Sequence, residues 1–207
     1  ISPYYDPMIA KLVAHGPDTY VGTGPRYPWG GLYGGQIVAQ ALRAASLSVE
    51  PDYAPHSIRA YFIRRGDHDE PVRYEVDRIR NGRSFVTRRV VARQAIGAIL
   101  NAECSFQRPE QSPVVQTITM PVVPGPDELA NVSYSDRYEQ RRVPDSAIVG
   151  HRDGAGRHVA WFRALATLHD APTVVHDCWL TYISDDLPTD VVFHGTWPDV
   201  DRSGQGS

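Results

Sequence analysis

The sequence predicts an α+β protein in which one plan occurs twice: a helix laid against an antiparallel sheet, with the second copy left unfinished. Three observations carry that prediction. A helical period runs from Gly34 to Val49, the period then switches to two over four successive runs, and strands followed by a helix return after a proline-rich stretch.

The first helix follows the Gly- and Pro-rich "GTGPRYPWGG". In "YGGQIVAQALRAASLSV", Ile37, Val38, Ala41, Leu42, Ala45 and Val49 fall at helical spacing, with Gly34 and Gly35 at the entry. An amphipathic helix with small residues on one buried stripe is expected, close-packed by a sheet. "SIRAYFIRR", "VRYEVDRIR", "SFVTRRVVAR" and "AILNAECSF" are then strands, rich in β-branched and aromatic residues. Asn81-Gly82 predicts a two-residue hairpin between the second and third. In the last, Ala98, Leu100, Ala102, Cys104 and Phe106 share one face, and Asn101, Glu103 and Ser105 the other, as in a strand with one buried side.

Pro109, Pro113, Pro121, Pro124 and Pro126 mark residues 108–127 as an extended linker between a first unit, 1–107, and a second, 128–207. In the second, "SYSDRYEQRRV" and "RHVAWFRALATL" read as strands around the turn-rich "PDSAIVGHRDGAG". In "HDCWLTYISDD", with its neighbours, His176, Trp179, Leu180, Ile183 and Leu187 mark a helical face. Only Asp177 to Ser207 remains from that helix onward, and "PDVDRSGQGS" reads as loop. A helix without its following strands leaves apolar surface bare, so a further C-terminal segment or another chain is expected to complete it.

Composition narrows the function classes. The chain has 207 residues, is 42% hydrophobic and carries a formal charge of −3, enough for a sizeable core and without the basic excess that nucleic acid or an anionic membrane surface selects. No apolar run approaches the roughly 20 residues of a membrane span. Cys104 and Cys178 are too few and too far apart for a disulfide framework or a zinc site, so a reduced, cytoplasmic setting is expected. No metal site is expected. "GTGPRYPWGG" contains a Gly-x-Gly but follows no clear strand and lacks a Gly-Lys-Ser/Thr, which argues against nucleotide binding. There is no Gly-x-Ser-x-Gly elbow, and neither cysteine has a base beside it in sequence.

"YGGQIVAQALRAA", "HSIRAYFIRRGD", "VDRIRNGRSFVTRRVVARQ", "SFQ" and "WLTYISDD", in that order and at compatible spacing over nearly the whole chain, resemble the TesB-type acyl-CoA thioesterases, the acyl-CoA thioesterase II family. The resemblance implies a double hotdog, in which each half wraps an antiparallel sheet around a long helix; the second half is incomplete here. It implies hydrolysis of acyl-CoA thioesters to a free acid and CoA, with no cofactor, and a homo-oligomer. In that family a Tyr-x-Ser-Asp element on the second helix supplies the catalytic aspartate, and Tyr182-Ile183-Ser184-Asp185 matches it, which carries the role to Asp185. The family's other two polar catalytic positions, a Thr or Ser and a Gln, come from strands after this helix. Asp186 departs from the many relatives that have an apolar residue there.

An aspartate suits the chemistry, because thioester hydrolysis needs a water held against the carbonyl carbon and partly deprotonated as it attacks. Helix-start N–H groups can receive the developing oxyanion, which makes Gly34 and Gly35 candidate substrate contacts. Each residue also has a plain structural reading. Adjacent carboxylates at a helix end are commonly solvated, and helical periodicity alone favours Asp186, because Asp185 points away from the Trp179–Leu180–Ile183 stripe. Gly34-Gly35 also suits tight helix-to-sheet packing. His56 reads as a structural histidine or a second polar group in a cleft. Arg64-Arg65, Arg88-Arg89 and Arg141-Arg142 read as exposed edge charges or as phosphate contacts. Two other functions fit less well: a non-catalytic acyl-CoA binding or scaffold protein, and a hotdog hydratase, whose Gly-Asp-x-Asn-Pro-type loop is missing.

Overall fold

The structure is a computed structural model that describes residues 11–150, 157–189 and 191–192; the "PDVDRSGQGS" loop lies outside the described residues. The sheets and the two longer helices position the site. The strands are β1 (Val13–Ala14), β2 (Thr19–Gly22), β3 (Ala54–Phe62), β4 (Val72–Asn81), β5 (Phe85–Gln94), β6 (Gly97–Gln107), β7 (Tyr138–Arg142) and β8 (Ala160–Ala164). The helices are α1 (Gly34–Ser46) and α2 (Thr173–Ser184). Contacts divide the described residues into two compact units, one of residues 11–110 and 168–185 and the other of residues 111–150, 157–167, 186–189 and 191–192. These units are a different division from the sequence repeat, because α2 packs with α1 in the first unit.

In that unit β1 to β6 form one antiparallel sheet in the order β1-β2-β4-β5-β6-β3, and α1 lies across it. The alternation read from the sequence holds on β6, where Leu100, Ala102, Cys104 and Phe106 are all buried. Ile99 is buried as well, because the β5–β6 register shifts between Ala92 and Arg93 and inserts an extra residue there. The expected two-residue turn at Asn81-Gly82 is corrected. Gly82 has no positive φ, so a type I′ turn does not form, and the loop widens to residues 82–84 with the Gly82 N–H donating to Phe85 O at 3.0 Å.

The single buried stripe expected on α1 is also corrected. Gln36 and Gln40 are as buried as Ile37, Ala41 and Leu42, because the sheet covers one side of the helix and α2 the other. The Tyr27 hydroxyl donates to Gln36 Oε1 and the Tyr74 hydroxyl to Gln40 Oε1, each at 2.7 Å, while Gln40 Nε2 donates to Thr23 O at 2.9 Å. These bonds offset part of the cost of burying the two amides; Gln36 Nε2 has no hydrogen-bond partner among the described residues. The Gly-x-Gly makes room for them: a Cβ on Gly24 would lie 1.8 Å from Gln36 Nε2, and one on Gly22 2.6 Å from Gln40 Oε1.

The second unit contains the antiparallel pair β7–β8, with Tyr138 opposite Ala164 and Gln140 opposite Phe162. No helix or strand occurs from Arg108 to Gly125. Val114, Val115, Ile118, Met120 and Val122 in that stretch are exposed, as is Leu180 on α2.

Candidate active site

Asp185 stands at the C-terminal cap of α2. The face that α2 buries is Val175, Cys178, Trp179 and Tyr182, whereas His176 is exposed and Leu180 is 71% exposed. The stripe chosen from apolar side chains is therefore corrected. Asp185 lies three residues beyond Tyr182 and seven beyond Cys178, on the line of the buried face. The apolar count missed this because the face includes Thr181, whose hydroxyl is satisfied by donating to Asp177 O at 2.7 Å.

Two close approaches at the start of α1 place this helix end. A Cβ on Gly35 would lie 2.2 Å from the Tyr182 carbonyl oxygen and 2.6 Å from the Tyr33 ring, so only glycine lets α2 come this near. Tyr33 also donates its hydroxyl to that carbonyl at 2.8 Å, satisfying one of the last acceptors of the helix. The Tyr33 and Tyr182 rings meet edge to face at 4.8 Å, and the hydroxyls of Tyr182 and Tyr27 are 3.1 Å apart. Gly35 is thus occupied by helix packing.

Gly34 differs. A Cβ there would lie 2.5 Å from Asp185 Oδ2 and 2.9 Å from the Phe62 ring, so the carboxylate and the ring converge over the bare glycine. Gly34 and Asp185 both line a cleft of about 450 Å³ whose apolar wall is Leu32, Ile37, Phe62 and Ile63. Arg64, Arg65 and Gly66 complete the lining. The cleft combines a carboxylate, an apolar wall and the N-terminal turn of a helix, whose first N–H groups have no partner within the helix. No side chain caps that terminus at Tyr33. The cleft walls went unrecognised in the sequence because Phe62 and Ile63 read there only as strand residues.

Asp186 is engaged elsewhere. In the second unit Gln140 Nε2 donates to its Oδ2 at 2.6 Å and the Tyr138 hydroxyl to its Oδ1 at 3.1 Å. Burial pushes the Tyr138 phenol well above its usual range, reinforced by hydrogen bonding to Tyr134 and by the charge of Asp186. That tyrosine therefore remains a donor to the carboxylate. Asp186 is the periodicity-favoured residue, and the structure gives it structural partners.

The other sequence candidates separate cleanly. His56 is exposed on β3, with Nε2 2.8 Å from Ser105 Oγ, and does not line the cleft. Arg88, expected as an exposed edge charge, is 2% exposed: it donates to Ser48 Oγ, Asn81 Oδ1 and the carbonyls of Ser48, Arg80 and Thr87, tying the β4–β5 turn to the end of α1. Arg89 pairs with Asp77, and Arg141 with Glu139. Cys104 and Cys178 are buried free thiols, each pushed by that burial up to about 12, which suits packing and not nucleophilic attack. Among the described residues Asp67, His68 and Asp69 come close enough to share an ion, but Asp67 Oδ1 accepts from the Asp69 N–H and Asp69 pairs with Arg26. No helix among the described residues is long and apolar enough to cross a membrane.

Comparison with known proteins bears on the family and the fold. The family model described as Acyl-CoA thioesterase N-terminal domain matches residues 23–107. Acyl-coenzyme A thioesterase 8 of Rattus norvegicus is 36% identical over 179 residues, covering 74% of this chain and 56% of the rat protein. The chain thus spans little more than half the length of that relative. A protein of Alicyclobacillus acidocaldarius whose structure is described as having a hot dog fold aligns at 20% identity and a TM-score of 0.70, over 91% of this chain and 71% of that one, which shows the fold alone. The crystal structure of the acyl-CoA thioesterase II TesB2 from Mycobacterium marinum aligns at 32% identity and a TM-score of 0.79, over 92% of this chain and 70% of that one. With agreement of that extent in both sequence and backbone, the chain belongs to the acyl-CoA thioesterase II (TesB) family and has its hotdog fold.

Proposed function

We propose that this chain hydrolyses acyl-CoA thioesters to a free acid and CoA, with Asp185 as the general base. The observation that carries the reading is convergence: the Asp185 carboxylate and the bare backbone of Gly34, at the start of α1, line one cleft with an apolar wall. The Asp185 carboxylate holds a water and takes its proton as the oxygen attacks the thioester carbon. The tetrahedral intermediate's oxyanion is received by N–H groups of the first turn of α1, where backbone donors need no reorganisation. Collapse breaks the C–S bond, and the proton on Asp185 passes to the departing thiolate, so water is added across the thioester and the carboxylate is regenerated. The apolar wall of Leu32, Ile37, Phe62 and Ile63 suits the acyl chain.

A carboxylate acting this way supplies ~10² to 10⁴ in rate. Release of free thiol from a panel of acyl-CoAs tests the proposal. Turnover by the intact protein, lost in Asp185→Asn, is the expected result. Stoichiometric acyl-CoA binding without thiol release would favour the non-catalytic binding function instead.

A further inference from the structure

Three arginine pairs stood out in the sequence, and the structure treats them differently. Arg88 is buried among carbonyls and hydroxyls, Arg89 is paired with Asp77, and Arg141 and Arg142 lie on β7 in the other compact unit. Arg64 and Arg65 line the same cleft as Asp185. Among the described residues neither forms an ion pair. Each guanidinium is held by a neutral acceptor: Arg64 Nη1 donates to Ala98 O at 2.7 Å and Arg65 Nη2 to Trp29 O at 2.5 Å. The backbone is shaped around Arg65, since Gly30 has φ +71° and a Cβ on Gly31 would lie 2.7 Å from Arg65 Nε.

Two exposed guanidinium forks, neither ion-paired among the described residues, thus line the cleft beside the Asp185 carboxylate and offer free donors to an oxyanion. Each carbonyl uses one of a guanidinium's five N–H groups, leaving the remaining donors for a bidentate ligand. Arg serves this purpose better than Lys because its rigid fork matches phosphate and carboxylate geometry.

We propose that Arg64 and Arg65 form the subsite that binds an anionic group of the thioester substrate, a specificity role distinct from the hydrolytic one of Asp185. The inference rests on the acyl-CoA reading. Two parts of such a substrate offer this chemistry: the phosphates of CoA, and the terminal carboxylate of an acyl group that carries one.

The test compares wild type with Arg64→Ala, Arg65→Ala and Arg65→Lys in the intact protein on three substrates: an unsubstituted acyl-CoA, the same acyl group on pantetheine, and an ω-carboxyacyl-CoA of equal length. Removing an arginine is expected to raise KM about tenfold, the scale of a lost charge-assisted hydrogen bond, with kcat little changed. A rise on both CoA esters but not on the pantetheine ester identifies the phosphates. A rise on the ω-carboxyacyl ester alone identifies the carboxylate. Arg65→Lys should recover only part of the effect, because it keeps the charge and loses the fork. Equal KM ratios on all three substrates, or none above twofold, would overturn the subsite. Calorimetric titration of free CoA and of glutarate into the same variants reads the subsite without turnover. If the wild type binds either anion tightly and the arginine variants weakly while no thioester is hydrolysed, the thioesterase reading fails and the anion subsite stands.

Discussion

Asp185 and Asp186 are consecutive residues of one chemical type, yet different groups converge on them. Asp185 faces a cleft with an apolar wall and the bare backbone of Gly34. Asp186 receives an amide donor from Gln140 and a phenol donor from Tyr138. The boundary between the two compact units falls between them. Donors that hold a carboxylate in its charged form lower its basicity and stabilise the fold, whereas a carboxylate at a cleft wall can give its lone pairs to a water. What converges on each residue thus differs across a shift of one position, and on the proposed reading that shift separates a base from a brace.

The glycines at the start of α1 sharpen this contrast most. Gly35→Ala would drive a methyl into the backbone carbonyl of Tyr182, which cannot swing aside, so a loss of about 3 kcal/mol is expected in denaturant unfolding. Gly34→Ala meets mainly the end of the Asp185 side chain and the Phe62 ring, which can move; it should cost about 1 kcal/mol in stability and a larger share of activity, because the carboxylate is displaced. Similar losses of both properties at the two sites would contradict the distinction.

Next in size is the brace itself. Gln140→Leu removes the 2.6 Å donor to Asp186 and should lower stability by about 2 kcal/mol, the scale of a hydrogen bond to a charged group, while kcat is retained. On the catalytic side, Tyr33→Phe deletes the hydroxyl that holds the Tyr182 carbonyl. A loss of about 1 kcal/mol in unfolding free energy is expected, together with a fall in kcat as the end of α2 loosens.

The smallest effect lies away from both aspartates. The hydrogen bond from Arg78, aided by its charge, holds the Asp18 carboxyl below its ordinary range against the opposing effect of burial. A carboxylate whose folded pKa is depressed stabilises the fold above its unfolded pKa of about 3.9, and that contribution is lost as pH falls through the lower folded value. The pair is partly exposed, so Asp18→Asn should cost less than about 1 kcal/mol at pH 7, and the difference from wild type should vanish in acid unfolding curves below the folded pKa.

Much of this was legible in the sequence. The α1 segment and the alternation on β6 follow from period, whereas Asp185 is singled out by the resemblance of Tyr182-Ile183-Ser184-Asp185 to a family element, against a periodicity that favours Asp186. What periodicity could not supply were features created by tertiary partners. Gln36 and Gln40 count as polar in any pattern, yet Tyr27 and Tyr74 reach in and make them core residues. The buried face of α2 was misplaced because Leu180 counts as apolar and Thr181 as polar, while Thr181 satisfies its own hydroxyl on the preceding turn. Gly34 and Gly35 differ through the tertiary neighbours brought against each, Asp185 and Phe62 over the first and the Tyr182 carbonyl and Tyr33 over the second, which no local rule contains. Arg88 could not be told from Arg89 without knowing which side of β5 faces Ser48.

The central claim is most directly tested by measuring kcat for acyl-CoA hydrolysis in Asp185→Asn and Asp186→Asn versions of the intact protein, with unfolding free energies taken in parallel. The account predicts a kcat loss of ~10² to 10⁴ in Asp185→Asn with little change in stability, and in Asp186→Asn a stability loss of about 1–3 kcal/mol with kcat within severalfold of wild type. Full activity in Asp185→Asn, or the larger kcat loss in Asp186→Asn, would contradict it.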